Sequence, residues 1–198
     1  MAAARVTALI LAGGRGSRMG GEDKGLTPFR GRPLIEHILA AISPQVSHVL
    51  INANRNRQRY QAYGHPVVGD ALSDYQGPLA GFAAGLAQTV TDDLVTLPCD
   101  GPFVAPDAVQ RLLAARRRAD AEIAVAHDGE RMQPVYALLN RQLLPDLTAF
   151  LDSGDRKIDR WYAQRRTVTV DFSDCAHYFV NINTRLEHRR LESAETKT

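Results

Sequence analysis

A glycine-rich segment near the start of the chain carries the residue types that bind phosphate. Residues 11–24 read Leu-Ala-Gly-Gly-Arg-Gly-Ser-Arg-Met-Gly-Gly-Glu-Asp-Lys, with five glycines and three cations, among them Arg18 and Lys24. Glycine lets backbone amides approach an anion closely, and the cations supply positive charge. The dinucleotide fingerprint fails because Met19 stands where its third glycine belongs, and the Walker A pattern fails because Gly25 follows the lysine. The segment predicts a phosphate cradle, with a flexible surface loop as the alternative.

A second motif places a carboxylate directly after an apolar run. Residues 94–97 are followed by Pro-Cys-Asp-Gly-Pro at 98–102, where the two prolines stiffen the turn. Mg²⁺ prefers one or two carboxylates together with phosphate oxygens and water, so we expect Asp100 to be a magnesium ligand. A turn carboxylate that bonds its own backbone is the alternative. We interpret Cys99 as a small apolar residue, because no histidine lies near it in the sequence to activate a thiol.

Further polar groups follow two other predicted strands, and a helix start lies close behind them. Asn52 ends one strand and Asp70 follows the next. An amide offers both a donor and an acceptor, and a carboxylate accepts hydrogen bonds. Gly77-Pro78 places proline at a first helical position, which leaves the amide donors of that turn for a ligand. Turn formation and an ordinary helix start are the alternatives for these residues.

Two asparagines stand two positions apart near the other end of the chain. Asn181 and Asn183 fall within a predicted strand over residues 178–183, so both amides are expected on one face. Such a pair suits a ligand rich in hydrogen-bonding groups. A structural role at a sheet edge is the alternative.

The elements that must position these residues alternate between strand and helix. Apolar runs predict strands over residues 6–12, 48–52, 67–68, 94–97, 122–127, 132–139, 167–171 and 178–183. Helical spacing predicts helices between them, and Thr184 with Glu187 forms a capping box for a last helix. This order predicts an α/β fold, with one antiparallel strand where a hairpin turns at Asp128-Gly129. In open sheets of this class, ligands bind beyond the carboxyl ends of the strands.

Composition restricts the classes of partner. The 198 residues are 44% hydrophobic and 23% charged, which predicts a single domain over residues 1–198. A formal net charge of +2 predicts no nucleic-acid partner. No run approaches the roughly 18 apolar residues that a bilayer span needs, so no membrane association is expected. Two cysteines in a chain of this size indicate a reducing compartment, and we expect a cytoplasmic protein.

Taken together, the motifs resemble those of the nucleotidyltransferases. The order Leu-Ala-Gly-Gly, Arg-Met-Gly and a lysine close behind is their opening signature, and the compact form at residues 18–24 is similar to that of molybdenum cofactor guanylyltransferases. The resemblance extends from about residue 6 to 184 through separate motifs in the same order. It implies a Rossmann-like nucleotidyltransferase fold, a three-layer sandwich around a mostly parallel sheet. A nucleotide-binding part would cover about residues 5–104, and an acceptor-binding part about 105–192.

The resemblance also implies an activity and a site. The activity is transfer of GMP from GTP to the phosphate of molybdenum-bound molybdopterin, with Mg²⁺ as cofactor. Molybdoenzymes or other proteins of cofactor biosynthesis are further expected partners. The expected catalytic residues are Arg18, Lys24 and Asp100. The expected binding residues are Leu11, Ala12, Gly13, Gly14, Lys24, Asn52, Asp70, Gly77, Pro78, Asp100, Asn181 and Asn183.

The resemblance has departures and leaves alternatives. Gly101 stands where the family pattern leads us to expect threonine, and Arg185-Leu186 stand where it continues with proline and glutamate. A relative that uses CTP or loads a sugar phosphate is one alternative, although Leu-Ala-Gly-Gly favours guanine by resemblance. A GTP-binding partner of molybdoenzymes without catalysis is another, and the presence of Lys24 and Asp100 argues against it.

Overall fold

The structure is a computed structural model and describes residues 4–12, 23–70, 77–182 and 184–193. Its strands are β1 (Ala4–Leu11), β2 (Pro28–Phe29), β3 (Arg32–Pro33), β4 (Val46–Asn52), β5 (Val67–Val68), β6 (Asp93–Pro98), β7 (Ile123–His127), β8 (Met132–Asn140) and β9 (Thr167–Asp171). Its helices are α1 (Leu34–Ile42), α2 (Arg57–Gln61), α3 (Pro78–Gln88), α4 (Ala108–Arg118), α5 (Leu144–Asp152), α6 (Ile158–Tyr162) and α7 (Arg185–Ser193). Residues 13–22, which include most of the glycine-rich segment, and Asn183 lie outside the described residues.

Seven strands form one sheet in the order β5-β4-β1-β6-β8-β7-β9. β1 runs parallel to β4 and to β6, and β7 runs parallel to β9. β8 is antiparallel to both of its neighbours, β6 and β7. The prediction of a mostly parallel sheet with one antiparallel strand is therefore confirmed. β2 and β3 pair in a separate small hairpin, which the sequence pattern does not predict.

Helices cover both faces of the sheet because the central strand is apolar on both sides. Val6, Ala8 and Ile10 of β1 are fully buried, in a cluster with side chains of α1 and α4. Leu9 is equally buried but belongs to a second cluster, with side chains of α3, α5 and α6. A continuous apolar run is what a strand covered on two faces requires. The three-layer α/β architecture is thus confirmed.

Two local signals in the sequence act as predicted. Helix α1 buries Leu34, Ile38 and Ile42, whose spacing places them on one side of the helix. At the start of α7, the amide of Thr184 donates to Oε2 of Glu187 at 2.9 Å, and the amide of Glu187 donates to Oγ1 of Thr184 at 3.1 Å. Both orphan amides at this helix start are satisfied, as a capping box requires.

Helix lengths set a limit on membrane crossing. The longest described helices, α3 and α4, have 11 residues each. Spanning a bilayer takes about 20 apolar residues, and none of the helices in the described part of the chain meets that need.

Residues 178–182 do not form the predicted strand. Two short 3₁₀ turns, separated by a kink at Cys175, cover Ser173–Phe179, and residues 180–182 follow without regular structure. The ring of Phe179 packs edge to face against Phe172 and Tyr136, with centroid distances of 5.3 and 4.9 Å. Aromatic packing onto the end of the sheet therefore replaces strand pairing in this segment.

The residues that follow cross the end of β6. The amide of Ile182 donates to the carbonyl oxygen of Asp100 at 2.8 Å, in the turn beyond the end of β6, and residues 180–182 pair with none of the described strands. This one bond does not make a ladder, so the expectation that Asn181 lies on a strand is wrong. The expected partner on that strand, Asn183, lies outside the described residues.

Candidate functional site

The ends of the three central strands meet at one edge of the sheet. Leu11 pairs with Asn52 on one side and with Pro98 on the other. The amide of Ala12 donates to the carbonyl oxygen of Asn52 at 2.8 Å, and the amide of Cys99 donates to that of Leu11 at 3.1 Å. These bonds bring the residues after β1, β4 and β6 together where an open α/β sheet binds its ligands.

Lys24 and Asp100 face each other at this edge. The Nζ atom of Lys24 lies 3.0 Å from Oδ2 of Asp100, although 76 positions separate the two residues. Their side chains are 20% and 19% exposed, so the pair borders solvent. The geometry brings together the cation and the carboxylate that the sequence analysis singled out from two separate motifs.

Buried contacts of Asp23 hold the segment that carries Lys24. The hydroxyl of Tyr60 donates to Oδ1 of Asp23 at 2.5 Å, and Nδ2 of Asn56 donates to Oδ2 at 2.9 Å. Nε of Arg55 adds an ion pair at 3.8 Å. The sequence analysis did not single out Arg55, Asn56 or Tyr60. The signal that could have found them is the aromatic Tyr60 within a largely polar stretch.

Tyr60 keeps its hydroxyl proton, and so remains a hydrogen-bond donor, because the side chain is buried beside Asp23. Burial and the hydrogen bond to Asp23 both raise the pKa of the Tyr60 phenol. A Cβ at Gly25 would lie 2.6 Å from this hydroxyl and 3.4 Å from Cβ of Cys99. Glycine at position 25 therefore lets the turn after Lys24 pack directly on Tyr60 and Cys99.

Cys99 is buried and remains a neutral thiol. Burial, with the nearby charges of Asp100 and Asp23, raises its pKa to about 12. The reactive form of cysteine is the thiolate, so this side chain has no nucleophilic role at neutral pH. Its packing agrees with the interpretation of Cys99 as a small apolar residue.

On the β4 and β5 side, a carboxylate orients two amides. Oδ1 of Asp70 accepts from Nδ2 of Asn52 at 2.8 Å, and Oδ2 accepts from Nδ2 of Asn54 at 2.7 Å. The amide nitrogen of Asp70 donates to Oδ1 of Asn54 at 2.8 Å. Asn54 is a member of this network that the sequence analysis did not single out. The network fixes the amide of the buried Asn52 with its oxygen turned away from Asp70.

The start of α3 packs against the same asparagine. Gly77 precedes the helix with a φ of +83°, which favours glycine, and Pro78 is its first residue. A Cβ at Gly81 would lie 2.6 Å from Cδ2 of Leu11 and 2.8 Å from Oδ1 of Asn52. The first turn of α3, whose amides have no acceptor within the helix, therefore closes over the ends of β1 and β4.

A cavity of about 330 Å³ opens on the other side of Asp100. It is lined by Pro98, Asp100, Tyr136, Asn181 and residues 131–135 of the β7–β8 hairpin and β8. The hydroxyl of Tyr136 and Oδ1 of Asn181 are buried, and neither has a hydrogen-bond partner among the described residues. Burial and the nearby charge of Asp100 raise the pKa of Tyr136, so its hydroxyl remains protonated.

The tip of the β7–β8 hairpin is held by Asp128. Its Oδ1 accepts from the amides of Glu130 and Arg131 at 2.9 and 2.8 Å, and its Oδ2 accepts from Nε2 of Gln133 at 2.6 Å. Partial burial raises the pKa of Asp128, but these hydrogen bonds outweigh it, so the pKa lies below its ordinary value. The carboxylate of this residue shapes the turn, and Arg131 and Gln133 reach the cavity.

Other arginines lie away from this site. Arg116 pairs with Asp93 at 2.6 Å, and Arg165 pairs with Asp146. Arg116 and Arg165 line a second cavity together with residues 120–122, which precede β7, and with Asn140, which ends β8. This cavity lies at the opposite end of β6 from Asp100. These side chains therefore take no part in the site around Lys24 and Asp100.

The donor set at Asp100 suits a metal ion that arrives with a phosphate ligand. No cluster of three or more histidine, cysteine or acidic side chains able to hold a metal occurs within the described ranges. Asp100 offers a single carboxylate beside an open edge, and Mg²⁺ commonly takes one or two carboxylates and completes its shell with phosphate oxygens and water. The residues present therefore fit Mg²⁺ bound jointly with a nucleotide.

Known proteins share this sequence and this architecture. A sequence profile of the MobA-like NTP transferase domain matches residues 8–168. The chain is 50% identical over 190 residues to a molybdenum cofactor guanylyltransferase of Shewanella loihica, covering 96% of this chain and 97% of that protein. It is 48% identical over 191 residues to the protein of that name from Shewanella halifaxensis, covering 96% of each.

Solved structures agree at the level of fold. Molybdopterin-guanine dinucleotide biosynthesis protein A of Archaeoglobus fulgidus superposes with a TM-score of 0.79 at 22% identity, over 97% of this chain and all of that one. The profile match and the sequence identity to these relatives assign the chain to a family as well as to a fold. The chain belongs to the MobA-like family of nucleotidyltransferases, which are enzymes, and within it to the molybdenum cofactor guanylyltransferases.

Proposed function

We propose that this chain transfers GMP from GTP to the phosphate of molybdenum-bound molybdopterin, releasing pyrophosphate and forming molybdopterin guanine dinucleotide. Relatives named molybdenum cofactor guanylyltransferases, about half identical over nearly the whole chain, support this reaction. The observation that carries the proposal is the 3.0 Å contact between Lys24 and Asp100. It combines a phosphate-binding cation and a metal-binding carboxylate at one edge of the sheet.

The reaction is a displacement at phosphorus. An oxygen of the acceptor phosphate attacks the α-phosphorus of GTP, and the bond from that phosphorus to the oxygen bridging to the β-phosphate breaks. Negative charge then collects on the departing pyrophosphate and has to be balanced. In the proposal, Lys24 and Arg18 supply positive charge there, and the amides of Gly13 and Gly14 hold the phosphates.

Asp100 is the residue that would hold Mg²⁺. A bound Mg²⁺ neutralises phosphate charge and holds the triphosphate in one geometry. The ion pair with Lys24 keeps the carboxylate aimed at the open edge, where a nucleotide reaches both side chains.

The nucleotide base has a prepared surface on the β4 and β5 side. Leu11 ends β1 and Ala12 follows it, and Asn52 lies beside them with an amide oriented by Asp70. The turn at Gly77-Pro78 brings the start of α3 over the same place. We assign the guanine and its ribose to this surface, because its amides and carboxylate can bond the edge of a purine or the ribose hydroxyls.

The acceptor has room on the β8 side. The cavity beside Asp100 contains Asn181 and Arg131, an amide for the pterin and a cation for its phosphate. Asn183 would add a second amide. Because β6 separates β8 from β1 and β4, the nucleotide and the acceptor would approach Asp100 from opposite sides. This arrangement suits an in-line displacement.

The test is a reaction with a defined product. The chain is incubated with GTP, Mg²⁺ and molybdenum-bound molybdopterin, and the product is identified by mass while pyrophosphate is measured. We expect the guanine dinucleotide, and pyrophosphate release that depends on both acceptor and Mg²⁺. Faster turnover with CTP would show a cytidylyltransferase instead. Nucleotide binding without pyrophosphate release would show a protein that only binds GTP.

Replacing Asp100 tests the mechanism at its centre. The Asp100→Asn variant keeps the shape of the side chain but loses its charge, and we expect kcat to fall about 10²- to 10³-fold with normal folding, as for other single electrostatic groups. Asp107→Asn is the matched control, because Asp107 is exposed at the start of α4 and makes no capping hydrogen bond. Wild-type turnover in the Asp100 variant would remove that residue from the mechanism.

A further inference from the structure

The turn after β6 contains Gly101, and the side chain of Tyr136 leaves no room for a larger residue there. A Cβ at Gly101 would lie 2.2 Å from the hydroxyl oxygen of Tyr136 and 2.9 Å from Oδ1 of Asn181. The first distance is far below van der Waals contact, so a larger residue at position 101 collides with Tyr136. The tyrosine hydroxyl thus occupies the space that a side chain at position 101 would take.

An irregularity in β8 brings Tyr136 to this point. In the pairing of β7 with β8, Val125 stands opposite Ala137, whereas the next residue, Ala126, stands opposite Gln133. Residues 134–136 are therefore left out of the ladder, and the first of them is a proline, which has no amide hydrogen to donate. Bulges of this kind re-aim side chains and are frequent next to active sites.

The pairing of β8 with β6 ends at the same place. It runs from Asp93 opposite Asn140 to Thr96 opposite Ala137, and the two strands separate beyond that pair. Oγ1 of Thr96 donates to the carbonyl oxygen of Val135 at 2.6 Å, which anchors the bulge. The cavity beside Asp100 opens in the gap between the separated strands.

The hydroxyl of Tyr136 has a hydrogen bond still to make. Tyr136 is only 6% exposed, and its hydroxyl has no partner in the described part of the chain. Oδ1 of Asn181, which faces the same point beside Gly101, is likewise buried without one. A buried donor without a partner costs stability, and that cost disappears when a ligand supplies an acceptor.

We propose that the hydroxyl of Tyr136 binds the phosphate of the acceptor substrate by donating a hydrogen bond to it, and that Gly101 admits the hydroxyl to this position. The inference rests on the proposed function. Tyr136 belongs to the acceptor rather than to the nucleotide because β6 separates it from the strands that end at Leu11 and Asn52. Arg131, which lines the same cavity, supplies charge for a phosphate.

The first test removes only the hydroxyl. Tyr136→Phe keeps the ring and its packing on Phe179, and we expect the KM for molybdenum-bound molybdopterin to rise about 10- to 150-fold, the range for loss of one hydrogen bond to a charged group. The KM for GTP should stay within about twofold, since nucleotide binding does not involve this group. Tyr178→Phe is the matched control, because Tyr178 is a nearby tyrosine that does not line the cavity.

A second variant tests the relation to Gly101. With the hydroxyl gone, the ring atom Cζ lies 3.5 Å from a Cβ at position 101, which is an ordinary contact. Oδ1 of Asn181 accepts no hydrogen bond from the described residues and can turn aside. We therefore expect Gly101→Ser alone to raise the acceptor KM and lower the melting temperature. The double variant Gly101→Ser/Tyr136→Phe should recover both in part, because the serine hydroxyl takes the vacated place.

The outcomes separate this inference from the proposed function. An unchanged acceptor KM in a Tyr136→Phe enzyme that transfers GMP overturns the inference alone. Equal rises in the KM for GTP and for the acceptor also overturn it, because they indicate general loosening of the site. A wild-type chain that transfers nothing from GTP overturns the proposed function and the inference with it. If Gly101→Ser fails to fold, the Tyr136→Phe comparison still decides.

Discussion

Two carboxylates near the ligand-binding edge differ in what surrounds them, and the difference separates their roles. Asp23 is buried, and each of its carboxylate oxygens accepts a hydrogen bond from within the protein, from Tyr60 or from Asn56. Asp100 borders solvent and pairs with Lys24, whose flexible side chain can turn to a substrate phosphate. The first carboxylate therefore holds the chain in place, while the second remains available for a metal ion.

Asn52 offers a test of the base-binding surface. Its amide nitrogen is committed to Asp70, and its oxygen faces the start of α3. We expect Asn52→Ala to raise the KM for GTP about 5- to 10-fold with little change in kcat, which is the pattern for loss of a binding contact. Steady-state kinetics with varied GTP measure this effect.

The control for this variant lies at the other end of the sheet. Asn140→Ala removes an asparagine that caps the turn after β8, where its Oδ1 accepts from the amide of Gln142. It should lower the melting temperature and leave the KM for GTP unchanged. A normal KM for GTP in a folded Asn52→Ala enzyme would place the base elsewhere.

At the scale of elements, the five-residue helix α2 supports the turn that carries Asp23 and Lys24. Its Tyr60 is fully buried and reaches Asp23, next to Lys24 in the chain. Helices this short have little stability of their own, so packing must hold α2 in place. The polar stretch around residues 55–63 therefore contributes to the site through one aromatic side chain.

Tyr60→Phe tests this support. The change leaves an oxygen of the buried Asp23 with one hydrogen bond fewer, and we expect the free energy of unfolding to fall by about 1–3 kcal/mol. Because Lys24 follows Asp23 directly, kcat should fall as well. Denaturant unfolding and steady-state kinetics measure the two effects. Tyr63→Phe, at the partly exposed end of the same stretch, should change neither by a comparable amount, and equal effects of the two variants would contradict this role.

At the scale of the molecule, one sheet joins the part expected to bind the nucleotide and the part expected to bind the acceptor. β6 pairs with β1 on one side and with β8 on the other, so the two parts share one hydrogen-bonded sheet. The two parts also share a hydrophobic core. Leu9 and Phe82 from the first part lie in one buried cluster with Ile123 and Trp161 from the second. Shared strands and a shared core favour unfolding as one unit.

The prediction is a single cooperative transition. Trp161 is the only tryptophan and is fully buried in the later part of the chain, whereas far-UV circular dichroism reports all elements. In urea, the two signals should give the same midpoint and the same slope. A tryptophan transition clearly separated from the dichroism transition would show that the two parts unfold independently.

The sequence by itself determined the order and type of most elements, because apolar periodicity and turn residues act within a few positions of the chain. The strand 67–68, the hairpin at Asp128-Gly129 and the capping box at Thr184 follow from such local patterns. The sequence also identified Lys24 and Asp100 as candidate site residues. Lys24 ends the glycine-rich segment after the first strand, and Asp100 lies in the turn after the strand over residues 94–97.

Only the tertiary structure decided which distant residues meet. The bond from Tyr60 to Asp23 and the fit of Tyr136 beside Gly101 both join segments that are far apart in the chain. Residues 178–182 look like a strand locally, but the ring of Phe179 packs on Phe172 and Tyr136, and the segment crosses the end of β6 without strand pairing. Such outcomes depend on competition for space and for hydrogen-bond partners among elements, which no window of neighbouring residues contains.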